Sequence, residues 1–443
     1  MLILVIALLL FGLLAFKQLS APILACVVSI FVLICFKMPI ISGLKELFMP
    51  SAASYVSSNF LIFFVGALFG AVYQHTGAAK SIAQWLSKFS KGKCAAGIVM
   101  IITGILTYGG ISGFVVFFVS YPIAMNMFRN SGVTRRLIPA AISAGCWTWS
   151  MYGPGSPSIQ NVIPMNYLGT SSTAGGAAAW ICMFASLILN FVWLEYRAGN
   201  FKKKGYGFQD DKMQTLLSDE EVNVTDDPNE KLPSVLFSII PLIIILVTFN
   251  VPIFGGTTLA VETAVFLGIA FAVITQWKYN DLGATANGWL KVLNEGAGNS
   301  VVSIMNTAIV VGFGGIVKET SGFQDLVSML QGLNMNPLIF VMIAVGLCAG
   351  ACGSASGGMG VAFTALADTF QKMGVSFSDV HRIAAIASGT LDSLPHQGAQ
   401  ITLLGICKCT HRESYFDIFI TQIIVPVITC FIYIALAAAG LSA

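Results

Sequence analysis

Asp392 and His396 are the ionisable residues of an unusual stretch, SGTLDSLPHQG, that separates two apolar runs near the end of the chain. Pro395 and Gly398 make a continuous helix unfavourable there. An aspartate in so apolar a setting is costly unless a proton, a cation or a hydrogen-bond network neutralises it. We therefore expect Asp392 to bind a coupling proton, with His396 one helical turn away sharing it. The alternative is a structural hydrogen-bonded pair that holds the break in shape.

Three other interruptions of apolar runs carry similar residues: YGGISGF at 108–114, SMYGPGSPSIQN at 150–161 and AGACGSASGGMG at 349–360. Glycines let a ligand approach the backbone, and a helix that begins at a break presents free N–H groups to an anion. Exposed carbonyls and hydroxyls suit a small cation. Close helix packing is the alternative role for any single Ser or Gly. The substrate-binding residues predicted from the four breaks are Ser112, Gly113, Gly153, Gly155, Ser156, Ser354, Ser356, Gly357, Ser393, His396 and Gln397.

A fifth polar run, GAGNSVVSIMNT at 296–307, opens an apolar segment rather than interrupting one. Three of its side chains, Asn299, Ser303 and Asn306, either face the same cavity or form hydrogen bonds between helices. The sequence leaves both roles open.

The composition is that of a polytopic membrane protein. Of the 443 residues, 56% are hydrophobic and only 10% are charged, whereas a soluble domain carries about 25% charged residues. The ten cysteines are scattered, mostly within apolar runs, and form no metal-binding spacing, so neither a metal nor a cofactor is expected. Apolar runs long enough to cross about 30 Å of hydrocarbon occur near 1–16, 20–36, 55–75, 173–196, 233–250, 258–277, 298–317 and 414–441.

One long polar stretch, 198–232, divides the chain and is expected to be a solvated cytoplasmic linker loop. It separates a first repeat, 1–197, from a second repeat, 233–443. Ser356-Gly357 lies 244 residues after Ser112-Gly113, and AAIASG lies 244 residues after AAISAG. A constant offset between matching segments indicates a duplication.

The predicted fold is all-α and membrane-spanning, with two inverted repeats of five crossings each. Each repeat contains a re-entrant hairpin and a broken helix, and an odd number of crossings inverts the second repeat relative to the first. Inverted repeats with discontinuous helices are typical of secondary transporters. This topology collects 18 of the 23 Lys and Arg residues on one side, which the positive-inside rule makes cytoplasmic. Both termini are then expected outside the cytoplasm, in a bacterial cytoplasmic (inner) membrane protein.

The segments SGTLDSLPHQGAQITLL, ISGFVVFFVSYPIA and GSASGGMGVAFTAL resemble the gluconate permease family. That family lies within the wider ion-transporter superfamily, which includes citrate and dicarboxylate carriers. NTAIVVGFGGIVKETSGF resembles in particular the members described as D-beta-hydroxybutyrate permeases. The resemblance covers most of the chain and is strongest from about 296 to 410.

The resemblance implies proton-coupled uptake of a small hydroxy-carboxylate by an elevator-type motion. It also implies a scaffold domain that forms a homodimer and a transport domain that carries the hairpins and broken helices. The sodium-coupled relatives have Ser-Asn-Thr motifs at their hairpin tips, and the absence of Asn-Thr here puts sodium coupling in doubt. The scaffold domain is expected at about 1–93, 173–197, 233–335 and 414–443, and the transport domain at about 94–172 and 336–413.

No arginine lies in any of the four breaks, and a helix dipole supplies only about half a charge. This balance favours a monoanion, such as 3-hydroxybutyrate or gluconate, over a multiply charged acid. The expected partners are thus a small organic anion, a proton or Na⁺, the lipid bilayer and a second copy of the chain. A cation/proton antiporter and a sodium-coupled carboxylate symporter are the alternatives. The chain lacks nucleotide-binding and metalloprotease motifs, so neither an enzyme nor a nucleic-acid partner is expected.

Overall fold

The computed structural model of the protein describes residues 2–16, 19–88, 93–111, 113–209, 213–218, 231–252, 257–332, 335–395 and 397–442. Within these ranges the chain folds as helices joined by turns and loops. Among the described residues, five helices are long and apolar enough to cross a membrane. Five further apolar helices are shorter, and two of them, Ala95–Tyr108 and Pro337–Gly350, are arms of hairpins.

The helices of the first half begin with three that match predicted spans and then give way to shorter pieces. They are α1 (Leu2–Phe16), α2 (Ala21–Cys35), α3 (Ile40–His75), α4 (Ala78–Ser87), α5 (Ala95–Tyr108), α6 (Gly113–Ser131), α7 (Ile138–Trp147), α8 (Trp149–Tyr152), α9 (Ile159–Leu168) and α10 (Gly176–Lys203).

The helices of the second half follow the same order from their third member onward. They are α11 (Val235–Asn250), α12 (Val261–Gln276), α13 (Ala286–Lys318), α14 (Ser321–Gly332), α15 (Pro337–Cys352), α16 (Ala355–Lys372), α17 (Phe377–Ser388), α18 (Gly398–Ile406) and α19 (His411–Ala438). A 3₁₀ turn (Leu391–Ser393) lies between α17 and α18, and a π-helical turn (Ile420–Ile424) lies within α19.

Each half therefore contains one hairpin and one broken helix. The hairpins are α5–α6 and α15–α16, and the broken helices are α7 to α9 and α17 to α18. In both halves the first arm of the hairpin packs along the first arm of the broken helix. The predicted all-α fold class, with a hairpin and a broken helix in each repeat, is therefore confirmed. The helices break where Gly, Pro and Ser interrupt the apolar runs, at equivalent places in the two repeats.

The tip of the second hairpin is shorter than the sequence indicates. The predicted interruption covers 349–360, but α15 continues to Cys352 and only Gly353 and Ser354 separate it from α16. Gly353 has a φ of 55°, in the left-handed region that glycine adopts readily. Gly358 lies within α16, where a Cβ would be 2.1 Å from the Cα of Ala349. That glycine therefore lets the two arms of the hairpin pack closely.

The long helices pack in two groups. α3 and α13 lie against each other, and α2 and α12 pack on this pair. α10 and α19 instead pack on each other, on the α5 arm of the first hairpin and on the broken helices. The sequence places these last two helices with the scaffold, at 173–197 and 414–443, whereas the helices that they contact most belong to the predicted transport domain.

An ion pair joins α10 to α19. The Nε and Nη2 atoms of Arg197 lie 2.6 and 3.1 Å from the two carboxylate oxygens of Asp417, and Trp193 Nε1 donates to the same carboxylate at 3.1 Å. Asp417 is buried, so the bidentate geometry compensates for the loss of its hydration. These contacts hold the two helices together.

Most described residues of 198–232, the expected solvated loop, are exposed, but the segment is partly helical and is anchored to the helices at a few positions. α10 extends into this range as far as Lys203, and Met213 and Leu217 are buried against the helices. The buried guanidinium of Arg135 donates to the carbonyl of Thr215 and also, at 3.0 Å, to that of Lys408. Apolar side chains and a buried arginine thus dock this segment, whereas 210–212 and 219–230 lie outside the described residues.

Candidate functional site

The ends of both hairpins and both breaks meet at one cavity of about 640 Å³, between them and the helices α3 and α13. Ligand sites for small molecules have volumes of about 300–1,000 Å³. The predicted site residues that line this cavity are Gly113, Ser354, Ser356, Gly357, Asp392 and Gln397. The duplicated breaks therefore come together at a single place.

Four other predicted site residues lie in the breaks but do not line the cavity: Gly153, Gly155, Ser156 and Ser393. Two of them accept hydrogen bonds that stabilise the first break. The Gly155 carbonyl accepts a hydrogen bond from Asn250 Nδ2 at 3.0 Å, and the Ser156 carbonyl accepts one from Asn161 Nδ2 at 2.8 Å. Ser112 and His396 lie outside the described residues.

Helix N-termini surround the cavity. α6 begins at Gly113, α9 follows Ser158, α16 follows Ser354 and α18 begins at Gly398, and each of these residues is part of the cavity wall. Each N-terminus carries free N–H groups and roughly half a positive charge. The convergence of these helix ends creates a positive potential without a basic side chain, which suits a small anion.

Asp392 supplies the carboxyl group of the cavity. Its side chain is 2% exposed, Oδ1 lies 3.1 Å from Ser393 Oγ and Oδ2 accepts a hydrogen bond of 3.4 Å from Gln397 Nε2. Among the described lining residues it is the sole acid, and none of them is Lys, Arg or His. A carboxyl group so placed can be neutralised by a proton, as the sequence indicates.

The opposite wall belongs to α13. Ser303, Asn306 and Thr307 line the cavity, and the side chain of Asn306 is exposed there. Asn299, two turns earlier on the same helix, is exposed but does not line the cavity. The structure thus separates residues that the sequence treats alike, because the crossing of α13 past the breaks decides which turn faces the cavity.

Arg382 is a residue that supports the site and that the sequence analysis missed. It lies on α17, is fully buried, and donates to the carbonyls of Tyr152, Ser172 and Ala174 and to Asn161 Oδ1. It therefore closes the break of the first repeat from a helix of the second. The one signal in the sequence is a lone arginine in the apolar stretch that precedes the second break. Its donors all point at neutral oxygens, and it does not line the cavity.

The search of protein-family models finds no match. The curated protein "Uncharacterized transporter YxjC" of Bacillus subtilis (strain 168) is 31% identical over 460 residues, which cover 95% of this chain and 96% of that protein. The chain belongs to the same transporter family. It is therefore a multi-pass membrane transporter, in agreement with its apolar helices.

A solved structure shares the fold of this transporter. The crystal structure of the YdaH transporter of Alcanivorax borkumensis matches 90% of this chain and 88% of its own with a TM-score of 0.57. The sequence identity is 14%, so the likeness concerns the arrangement of helices.

Proposed function

We propose that the protein is a secondary active transporter that carries a small hydroxy-monocarboxylate together with a proton. Its substrate class is that of the gluconate permeases it resembles, either a 3-hydroxybutyrate-like or a gluconate-like acid. The observation that carries this proposal is the cavity in which helix N-termini converge around a single carboxyl group, Asp392. Positive helix ends bind the carboxylate of the substrate, and Asp392 binds the proton.

The charge of the cavity favours a monoanion. No described lining residue is basic, and each helix N-terminus contributes only a fraction of a charge. Arg382, the buried arginine near the first break, is occupied by neutral oxygens and does not face the cavity. A citrate-like trianion would lack compensating charge. The hydroxyls of Ser354 and Ser356 and the amide of Asn306 can bind the hydroxyl groups of a hydroxy acid.

Proton coupling follows from the shared cavity. Two unit negative charges about 8 Å apart at an effective dielectric constant of about 20 repel each other by about 2 kcal/mol. An ionised Asp392 would therefore weaken binding of a carboxylate substrate by roughly 30-fold. Protonation removes the repulsion, so the substrate and the proton favour each other's binding. Such mutual favouring is the thermodynamic requirement for symport.

For the motion we propose an elevator in which the hairpins and broken helices move against α3 and α13. α10 and α19 belong with the moving body in this proposal, because they pack on its helices and are joined by Arg197 and Asp417. The cavity lies between the two bodies. The basic side is cytoplasmic, both termini face outward, and the scaffold forms a homodimer in the cytoplasmic (inner) membrane.

The test is uptake of labelled 3-hydroxybutyrate into proteoliposomes under an inward proton gradient. Separate arms replace the proton gradient by a sodium gradient, or add an excess of unlabelled gluconate. Uptake that requires the proton gradient supports the proposal, and competition by gluconate decides between the two acids. Uptake driven by sodium alone would favour a sodium-coupled symporter. Dissipation of a pH gradient by sodium, without any organic acid, would favour a cation/proton antiporter and overturn the carboxylate site.

A further inference from the structure

The hydroxyl of Ser393 lies between two hydrogen-bond acceptors. Its Oγ is 3.1 Å from Asp392 Oδ1 and 2.8 Å from Gln422 Oε1, and all three side chains are buried. A serine hydroxyl has one hydrogen to donate. If Asp392 is ionised, the carboxylate and the amide oxygen compete for that hydrogen. The acceptor that loses it is left facing the serine oxygen with no hydrogen between them, and two oxygen atoms so close repel each other.

A proton on Asp392 removes the competition. The carboxyl O–H then donates to Ser393 Oγ, and the serine O–H donates to Gln422 Oε1. Both short contacts of the Ser393 hydroxyl then contain a hydrogen, as buried polar groups require. The arrangement of these three side chains therefore fits the neutral form of Asp392.

Gln422 has a second partner and an unusual backbone. Its Oε1 also accepts a hydrogen bond of 2.8 Å from Gln400 Nε2, and the residue lies in the π-helical turn of α19. Such turns occur frequently at functional sites. The remaining amide atoms, Gln422 Nε2 and Gln400 Oε1, are buried without a hydrogen-bond partner in the described part of the chain.

We propose that Ser393, Gln422 and Gln400 are positioning residues that set how tightly Asp392 holds the coupling proton. This inference rests on the proposed proton symport. When the proton leaves, the carboxyl O–H bond breaks, the proton passes to water in the cavity, and the Ser393 hydroxyl turns from Gln422 to Asp392.

The other titratable groups near Asp392 among the described residues lie on α15 and α19. Tyr415 on α19 donates its hydroxyl to the Ser393 carbonyl at 3.1 Å, and His411 Nε2 lies 2.9 Å from the Pro395 carbonyl. Cys352 at the end of α15 lines the same cavity. Gln397 faces the carboxyl from the start of α18, and the polar residues of α13 across the cavity are neutral.

The experiment measures the pH dependence of uptake for Gln422→Leu. The substitution removes the acceptor that competes with the carboxylate, so Ser393 donates to Asp392 and favours its ionised form. The pH at which uptake is half-maximal should fall by about one unit, the effect of one hydrogen bond. Gln422→Met, closer in shape, should give the same shift if the leucine variant does not fold. Ser393→Thr keeps the hydroxyl and should keep the wild-type profile.

A matched control is Gln276→Leu. Gln276 on α12 is also fully buried, its Oε1 also lacks a partner among the described residues, and its Nε2 donates to the Phe237 carbonyl at 3.0 Å. Its pH profile should match that of the wild type. An unshifted profile in both Gln422 variants, or an equal shift in the control, would overturn the inference. Absence of proton-driven uptake in the wild type would instead contradict the proposed symport itself.

Discussion

The guanidinium of Arg382 donates to the carbonyl of Tyr152, 230 residues away, and so joins the broken helices of the two repeats. Tyr152 is the last residue of the short helix α8, and the backbone after it is not helical. Arg382 also bonds Ser172 and Ala174 in the loop before α10. One buried side chain therefore compensates for the unmade helical hydrogen bonds of the first break and fixes it against the second repeat.

Arg382→Ala should destabilise the protein strongly. It leaves several buried carbonyls without a donor, and we expect a loss of at least about 3 kcal/mol. The check is the thermal unfolding temperature in detergent, together with uptake in proteoliposomes. Arg412→Ala is the control, because Arg412 is exposed. If both variants unfolded at the same temperature, the bridging role of Arg382 would be wrong.

Asp392→Asn should abolish proton-driven accumulation of the substrate while leaving substrate exchange across the membrane intact. The amide mimics a permanently protonated carboxyl, so substrate still binds and exchanges across the membrane, but no proton is carried. We expect counterflow exchange to persist and accumulation driven by a proton gradient to disappear. Asp368→Asn changes an exposed carboxyl on α16 in the same way and should leave both activities intact. Full gradient-driven accumulation by the Asp392 variant would show that the coupling proton binds elsewhere.

Asn306→Ala should weaken substrate binding without preventing folding. The side chain is exposed to the cavity and offers both a donor and an acceptor to a hydroxy acid. Loss of one such hydrogen bond predicts a KM raised by about tenfold. Asn299→Ala, on the same helix but outside the cavity, should keep the wild-type KM. Equal KM values for the two variants would show that Asn306 of α13 does not contact the substrate.

Gly358→Ala should disturb the second hairpin. The added Cβ would lie 2.1 Å from Ala349 Cα, so the arms must separate at a cost of about 1–3 kcal/mol. We expect a lower unfolding temperature and reduced uptake. Gly405→Ala in α18 is the matched control, since a Cβ there meets no atom within 4 Å. A Gly358 variant as stable as the control would mean that the arms are not closely packed.

The breaks were predictable because their cause is local. Gly, Pro and Ser disfavour a helix wherever they stand, and their recurrence at a constant offset reveals two repeats. Asp392 could be singled out for the same reason, as an acid between apolar runs. By contrast, the partners of a buried polar group are not local: Ser393 finds Gln422, and Arg382 finds Tyr152, only once separate helices have packed.

The sequence by itself determined the membrane class, the duplication, the hairpins and the breaks, because composition and helix propensity act residue by residue. Tertiary structure alone decided which break residues face the cavity: Ser356 lines the cavity, whereas Ser156 does not. It also decided that α10 and α19 pack on the broken helices. The sequence of an apolar membrane helix does not show which helices it packs against, because lipid and protein surfaces are equally apolar. Shape and hydrogen-bond partners, which exist only in the packed molecule, make that choice.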